Sequence, residues 1–85
     1  MKKLPKEVIE LLDRIIQDDG VPRNIRRVAS EIKENLLHGK ESLAVRAASA
    51  ISALEEISVD PNVPMYVRTL IWSVSSQLEK IAVEK

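Results

Sequence analysis

Two carboxylate–guanidinium pairs stand out, Asp18 with Arg26 and Asp60 with Arg68, each separated by eight residues in the same local setting. Paired opposite charges of this kind can form a binding site repeated twice. They also have a plainer use. An Asp at a helix junction accepts hydrogen bonds from exposed N–H groups of the next helix, and the Arg braces the turn. Residues kept in both halves of a repeat preserve geometry that both halves need, which favours the turn. On this reading Asp18, Gly20, Pro22 and Arg26, and likewise Asp60, Asn62, Pro64 and Arg68, build two equivalent turns.

Arg23, Arg26 and Arg27, near Arg14 in sequence, are the other chemical candidate. A basic cluster at the positive end of a helix can hold phosphate, which would make the chain a nucleic-acid or ribonucleoprotein accessory. Asp18, Asp19, Glu31 and Glu34 lie close enough to neutralise it, and the second half keeps only Arg68 of the three. No aromatic residue interleaves to stack on bases. A solvated, salt-bridged helix face accounts for these arginines better.

Little else suggests catalysis. His38 is the sole histidine, and its place before Gly39 suits a helix end rather than a general base, which needs a partner and a pocket. With no cysteine there is no thiolate nucleophile, thiolate metal site or disulfide. Asp18-Asp19 and Glu55-Glu56 are adjacent pairs, so on a helix they point to different sides. The serines lack a G-x-S-x-G elbow. The chain reads as non-enzymatic, with no metal or cofactor implied.

The elements that hold these residues come from a repeat. Residues 8–38 align without a gap on 50–80, at an offset of 42, with identities at Ile9/Ile51, Leu12/Leu54, Ile15/Ile57, Asp18/Asp60, Val21/Val63, Pro22/Pro64, Arg26/Arg68 and Leu36/Leu78. A period near forty that joins two amphipathic segments through a Pro turn marks a helical-hairpin repeat. Its hairpins run from about 5 to 38 and from 41 to 83, within one domain spanning 1–85.

Four helices follow. The first, from Pro5 to Asp18, presents Val8, Leu11, Leu12, Ile15 and Ile16 at helical spacing. Gly20, and Asn62 in its equivalent place, are expected to close their helices in the left-handed conformation. Pro22 and Pro64 then open the next helices. The second helix, to His38, presents Ile25, Val28, Ala29, Ile32 and Leu36. The third, from about Glu41 to Val59, carries Val45, Ala48, Ile51, Leu54 and Ile57 among many small residues. Its close-packing surface makes it the expected central helix. The fourth, from Pro64 to Val83, presents Val67, Leu70, Ile71, Val74, Leu78 and Ile81. Short links make sequential helices antiparallel neighbours, so the expected fold is all-α: a four-helix up-and-down bundle built from two pseudo-repeated hairpins. An open two-repeat solenoid completed by another chain is the alternative.

The turn pattern Asp-x-x-Val-Pro-x-x-[Ile/Val]-Arg resembles the inter-helix segment of HEAT-type repeats, where Asp and Arg brace the turn. On Asp18-Asp19-Gly20-Val21-Pro22-Arg23-Asn24-Ile25-Arg26 and Asp60-Pro61-Asn62-Val63-Pro64, the whole chain is similar to a short uncharacterised archaeal family of about this length. That resemblance implies an all-helical bundle with no established activity, and supplies no catalytic residues.

The outer face of the fourth helix is the most informative surface. With Val67 pointing to the core, and a step of roughly 100° per residue, Met65, Thr69, Trp72, Ser73 and Ser76 fall roughly 120–180° away. The matching positions of the second helix are Arg23, Arg27, Ser30, Glu31 and Glu34. One outer face is charged and the other nearly neutral, since Arg68 is the only charge from Met65 through Gln77. An outward Trp and Met among small hydroxyl residues suit a contact surface, most simply a twofold pairing of fourth helices. The expectation is a homodimer, or a complex with another protein, anchored by Trp72.

Bulk composition agrees. Thirteen basic residues balance thirteen acidic ones, which disfavours polyanion binding by global charge. No apolar run approaches a membrane span, and the first residues lack the apolar stretch of a secretory signal. The expectation is a soluble, cytoplasmic protein with no membrane association.

Overall fold

The computed structural model describes residues 4–82, in four helices and no strand: α1 Lys6–Ile16, α2 Arg23–His38, α3 Leu43–Ser58 and α4 Met65–Ala82. The expected end of the fourth helix at Val83 lies outside the described residues. Prolines set three of the starts. Each of Pro5 and Pro22 has an extended ψ, at 137° and 144°, so the helix begins one residue after the proline rather than on it. The Pro22 carbonyl accepts from the amides of Ile25 and Arg26, both at 3.0 Å, and the Pro64 carbonyl accepts from Val67 and Arg68 at 3.0 and 3.1 Å. Ser42 opens α3 differently, its Oγ accepting from the Val45 amide at 3.3 Å.

The helix ends correct one expectation. Among the described residues none has a positive φ, so neither Gly20 nor Asn62 takes the left-handed conformation. The carboxylate of the preceding Asp makes the turn instead. Asp18 Oδ1 accepts from the Gly20 amide at 2.8 Å, and Asp60 Oδ1 accepts from the Asn62 amide at the same distance. Such a bond to the amide two residues on mimics a backbone turn with every φ negative. The chain then tucks Val21 and Val63 into the core, their amides bonded to the carbonyls of Asp18 and Asp60 at 3.1 Å. Gly39 is also extended, and its demand for glycine is steric. A Cβ there would sit 2.5 Å from the Asn35 carbonyl oxygen and 2.7 Å from the Arg46 side chain.

Apolar stripes at three- and four-residue intervals bury Val8, Leu12 and Ile15 of α1, Ile25, Ala29, Ile32 and Leu36 of α2, and Val67, Ile71, Val74, Leu78 and Ile81 of α4. Leu11, Ile16, Val28 and Leu70 flank that core half-buried. In α3 the buried set is Ala47, Ala50, Leu54 and Ile57, whereas Val45 and Ala48 are exposed. The N-terminal half of α3 is therefore rotated about one step from the expected stripe.

The helices close into a ring in which α1 packs on α2, α2 on α3, α3 on α4 and α4 back on α1, with no packing across either diagonal. The α4–α1 contact excludes an open solenoid for the described residues. It also removes the expected central helix, because every helix has two neighbours. The pairing of α3 with α4 is the most extensive of the four, while the small residues Ser49, Ala50 and Ala53 line a cleft that α3 shares with α2. Among the described residues no helix is long and apolar enough to cross a membrane.

Candidate interaction face on the fourth helix

The stripe Val67, Ile71, Val74, Leu78 and Ile81 fixes how α4 rolls on the bundle, and everything opposite it faces outward. Met65, Thr69, Trp72, Ser73 and Ser76 are all exposed, as the sequence pattern requires, with Met65 63% and Trp72 56% accessible. The Thr69 hydroxyl donates to the Met65 carbonyl at 3.2 Å, which spends its polarity inside the helix. Arg68, the one charge of this stretch, is turned aside. Its guanidinium donates to the Asp60 carbonyl at 2.9 Å, and its Nε is buried without a partner. The face is thus apolar at Met65 and Trp72, small and neutral between them.

Beside Trp72 runs a groove of about 280 Å³ between α3 and α4. Leu54 and Ile71 form its floor, Glu55 and Ser58 one wall, and Trp72, Ser75, Ser76 and Glu79 the other. On the opposite flank Tyr66, Leu70, Arg14, Gln17 and Asp18 line a shallower cleft between α4 and α1. The Tyr66 hydroxyl there donates to Asp18 Oδ2 at 2.5 Å. This bond and the Gly20 amide hold the Asp18 carboxyl below its ordinary pKa of 3.8, and the nearby Arg26 adds a smaller push the same way. The acceptance of that bond by Asp18 also holds the Tyr66 phenol above its ordinary 10.0.

The Asp–Arg pairs are not direct ion pairs. Asp18 spends its carboxylate on Gly20 and Tyr66, and does not reach the amides of the next helix. Arg26 Nε donates to the Val21 carbonyl at 3.1 Å, with a guanidinium nitrogen 3.7 Å from Asp19 rather than Asp18. Arg68 likewise reaches a backbone carbonyl. A third arginine does the same work at the middle link. Arg46 donates to the Leu36 carbonyl at 2.5 Å and to the Glu41 carbonyl at 2.8 Å. Each link between helices thus has one arginine that donates to a backbone carbonyl of the turn or of a helix end, at Asp60 to one that already accepts from the Val63 amide. Arg46 lies outside the repeated pattern, so the repeat gave no sign of it. Tyr66 leaves no local signal for a different reason: its partner is 48 residues away.

The basic cluster is partly dispersed. Arg23 and Arg27 are exposed on α2, Arg26 is committed to its turn, and Arg14 lines the cleft beside Tyr66. His38 lies exposed at the end of α2. Among the described residues no three His, Asp or Glu side chains converge as metal ligands.

Comparison with known proteins places this architecture. A model of UPF0147, an uncharacterised protein family, matches residues 1–81. The chain belongs to UPF0147. A UPF0147 protein of Archaeoglobus fulgidus is 64% identical over 83 residues, covering 98% of this chain and 94% of its own. A UPF0147 protein of Methanocaldococcus jannaschii is 48% identical over 84 residues, with coverage of 94% and 90%. The crystal structure of a protein from this uncharacterised family from Thermoplasma acidophilum is 44% identical and superposes with a TM-score of 0.83 over 88% of each chain. The four-helix ring is therefore shared with a solved UPF0147 structure, and the archaeal resemblance read from the turn residues is correct.

Proposed function

We propose that this chain is a non-enzymatic, cytoplasmic interaction module that associates with a second copy of itself through the outer face of α4. The observation that carries the reading is the placement of Met65 and Trp72, both more than half exposed, on a face whose one charge is turned into the preceding turn. Trp and Met are enriched at protein contacts and charged residues are depleted at contact centres, so such a face gains by being covered. Trp72 is the anchor, and Met65, Thr69, Ser73 and Ser76 surround it.

Light scattering on the purified chain across a concentration series tests this. The mass should rise from about that of one 9.5 kDa chain towards twice that value. Trp72→Asp should hold the protein monomeric with its helical circular dichroism unchanged. A wild-type protein monomeric at every concentration, or a Trp72→Asp variant that dimerises as well as wild type, would sink the proposal.

A further inference from the structure

Met65, Thr69, Trp72 and Ser76 are spaced four, three and four residues apart, so they form one straight seam along α4. The seam alternates large, small, large, small. It also has a symmetry that its residue types break in a useful way. Met65 and Ser76 are equidistant from the point midway between Leu70 and Ile71, and so are Thr69 and Trp72. If a second α4 is laid against the first in the opposite direction about that point, Met65 meets Ser76 and Thr69 meets Trp72. Every large side chain then faces a small one, twice over. A parallel pairing does the reverse, setting Trp72 on Trp72 and Met65 on Met65 while Thr69 and Ser76 leave gaps. Close packing of helices rewards the first arrangement and penalises the second.

Two further features of the surface agree. The antiparallel register brings Met65 of the second copy to Ser76, at the mouth of the groove floored by Leu54 and Ile71. That sets the exposed methionine against a groove whose lining includes the exposed Trp72. Charge also singles out this face for self-pairing. The corresponding α2 face would have to bury Arg23, Arg27, Glu31 and Glu34, whereas the four seam residues of α4 carry no charge and the nearest carboxylates, Glu55 and Glu79, stand on the groove walls beside the seam.

Resting on the self-association reading above, we infer that the UPF0147 chain dimerises through an antiparallel α4–α4 seam, its twofold axis passing between Leu70 and Ile71. Extent sets the strength. The eleven steps from Met65 to Ser76, at about 1.5 Å each, make a seam about 16.5 Å long, on a helix about 10–12 Å across, and hence a footprint of about 200 Å². That is well under the about 800 Å² per partner of a stable interface, even with the α3 wall of the groove added. The dimer is reversible and concentration-dependent.

The absence of cysteine from the chain makes the register directly measurable. Met65→Cys and Ser76→Cys proteins are prepared separately, each checked for wild-type mass and helicity, then oxidised alone and as a mixture. A disulfide needs Cα atoms within about 7 Å. In the antiparallel register residues 65 and 76 are opposed, while like positions lie about 16.5 Å apart along the seam. The expected result is a covalent dimer, seen on a non-reducing gel, from the mixture and from neither protein alone. Efficient self-linking of Ser76→Cys alone would overturn the register in favour of a parallel pairing. Absence of any cross-link while light scattering still reports a dimer would move the interface off α4. Monomers throughout would overturn both the register and the reading on which it rests.

Discussion

The Tyr66 hydroxyl donates to Asp18 at 2.5 Å and so ties the first residues of α4 to the turn that follows α1. Those residues are 48 positions apart, and the bond lies on the one helix pairing that no short link enforces. The links put α1 beside α2, α2 beside α3 and α3 beside α4 whatever else happens. The α4–α1 pairing must be secured by packing and by contacts such as this one. Asp18 therefore has two tasks, shaping its turn through Gly20 and receiving the last helix through Tyr66.

Tyr66→Phe should lower the melting temperature, and the loss should depend on pH in a defined way. Asp18 has a depressed folded-state pKa, so its share of the stability is present above 3.8 and disappears as pH falls through the lower folded value. Tyr66 has a raised one, so its share is complete below 10.0 and is lost as pH rises through the higher folded value. The gap between wild type and variant, followed by circular dichroism melts, should hold steady from about pH 5 to 9 and close at both extremes. A gap independent of pH down to pH 2 would mean that the packing or solvation of the hydroxyl, not its bond to the Asp18 carboxylate, is responsible.

The same bond explains Gly20. A Cβ there would stand 3.2 Å from both Asp18 Oδ1 and the Tyr66 hydroxyl oxygen, so the position is constrained by its neighbours and not by its φ. Gly20→Ala should therefore destabilise wild type and cost measurably less in a Tyr66→Phe background. A double-mutant cycle in urea is the check, and additivity within about 0.3–0.5 kcal/mol would reject the coupling. Gly39→Ala should be worse in any background, by about 1–3 kcal/mol, because there the obstacle is a backbone carbonyl that cannot step aside.

How much of this the sequence discloses depends on the range over which each signal acts. Stripes such as Ile25, Ala29, Ile32 and Leu36 are strong because four apolar side chains agree on one face of α2. The stripe of α3 is ambiguous because Ala44, Ala47, Ala48 and Ala50 fit several rotations equally. Only the partners settle that Ala47 and Ala50 go in while Val45 stays out. A glycine after a helix suggests a left-handed cap from local statistics, yet an Asp two residues earlier can turn the chain with ordinary φ values, as Asp18 does. The outer face of α4 is legible because it depends only on helical period. The Tyr66–Asp18 bond is not, because it exists only once the ring has closed.

The three bracing arginines should differ in their tolerance of change. Arg46 binds two carbonyls from two nitrogens, so Arg46→Ala should lose about 1–3 kcal/mol. Arg68 uses one nitrogen and leaves its buried Nε unpaired, so a lysine, with one compact ammonium, can serve the Asp60 carbonyl without that orphan. Arg68→Lys should therefore be close to neutral, and Arg46→Lys clearly destabilising, in parallel denaturant titrations. Equal losses at the two sites would show that guanidinium packing matters more than donor count.

Salt separates the α4 seam from any role of the α2 arginines. A contact made by Met65, Thr69, Trp72 and Ser76 has no charge to screen, so dimerisation should be as tight at 0.5 M as at 0.05 M sodium chloride, or slightly tighter. Association driven by Arg23 and Arg27, with acidic side chains of a second copy or with phosphate, would weaken steeply over the same range. Sedimentation equilibrium at the two salt concentrations, on wild type and on a variant carrying Arg23→Ala and Arg27→Ala, decides between them. The double variant should dimerise as wild type does at both concentrations. A dimer that dissolves at high salt, or that needs those arginines, would place the contact on α2.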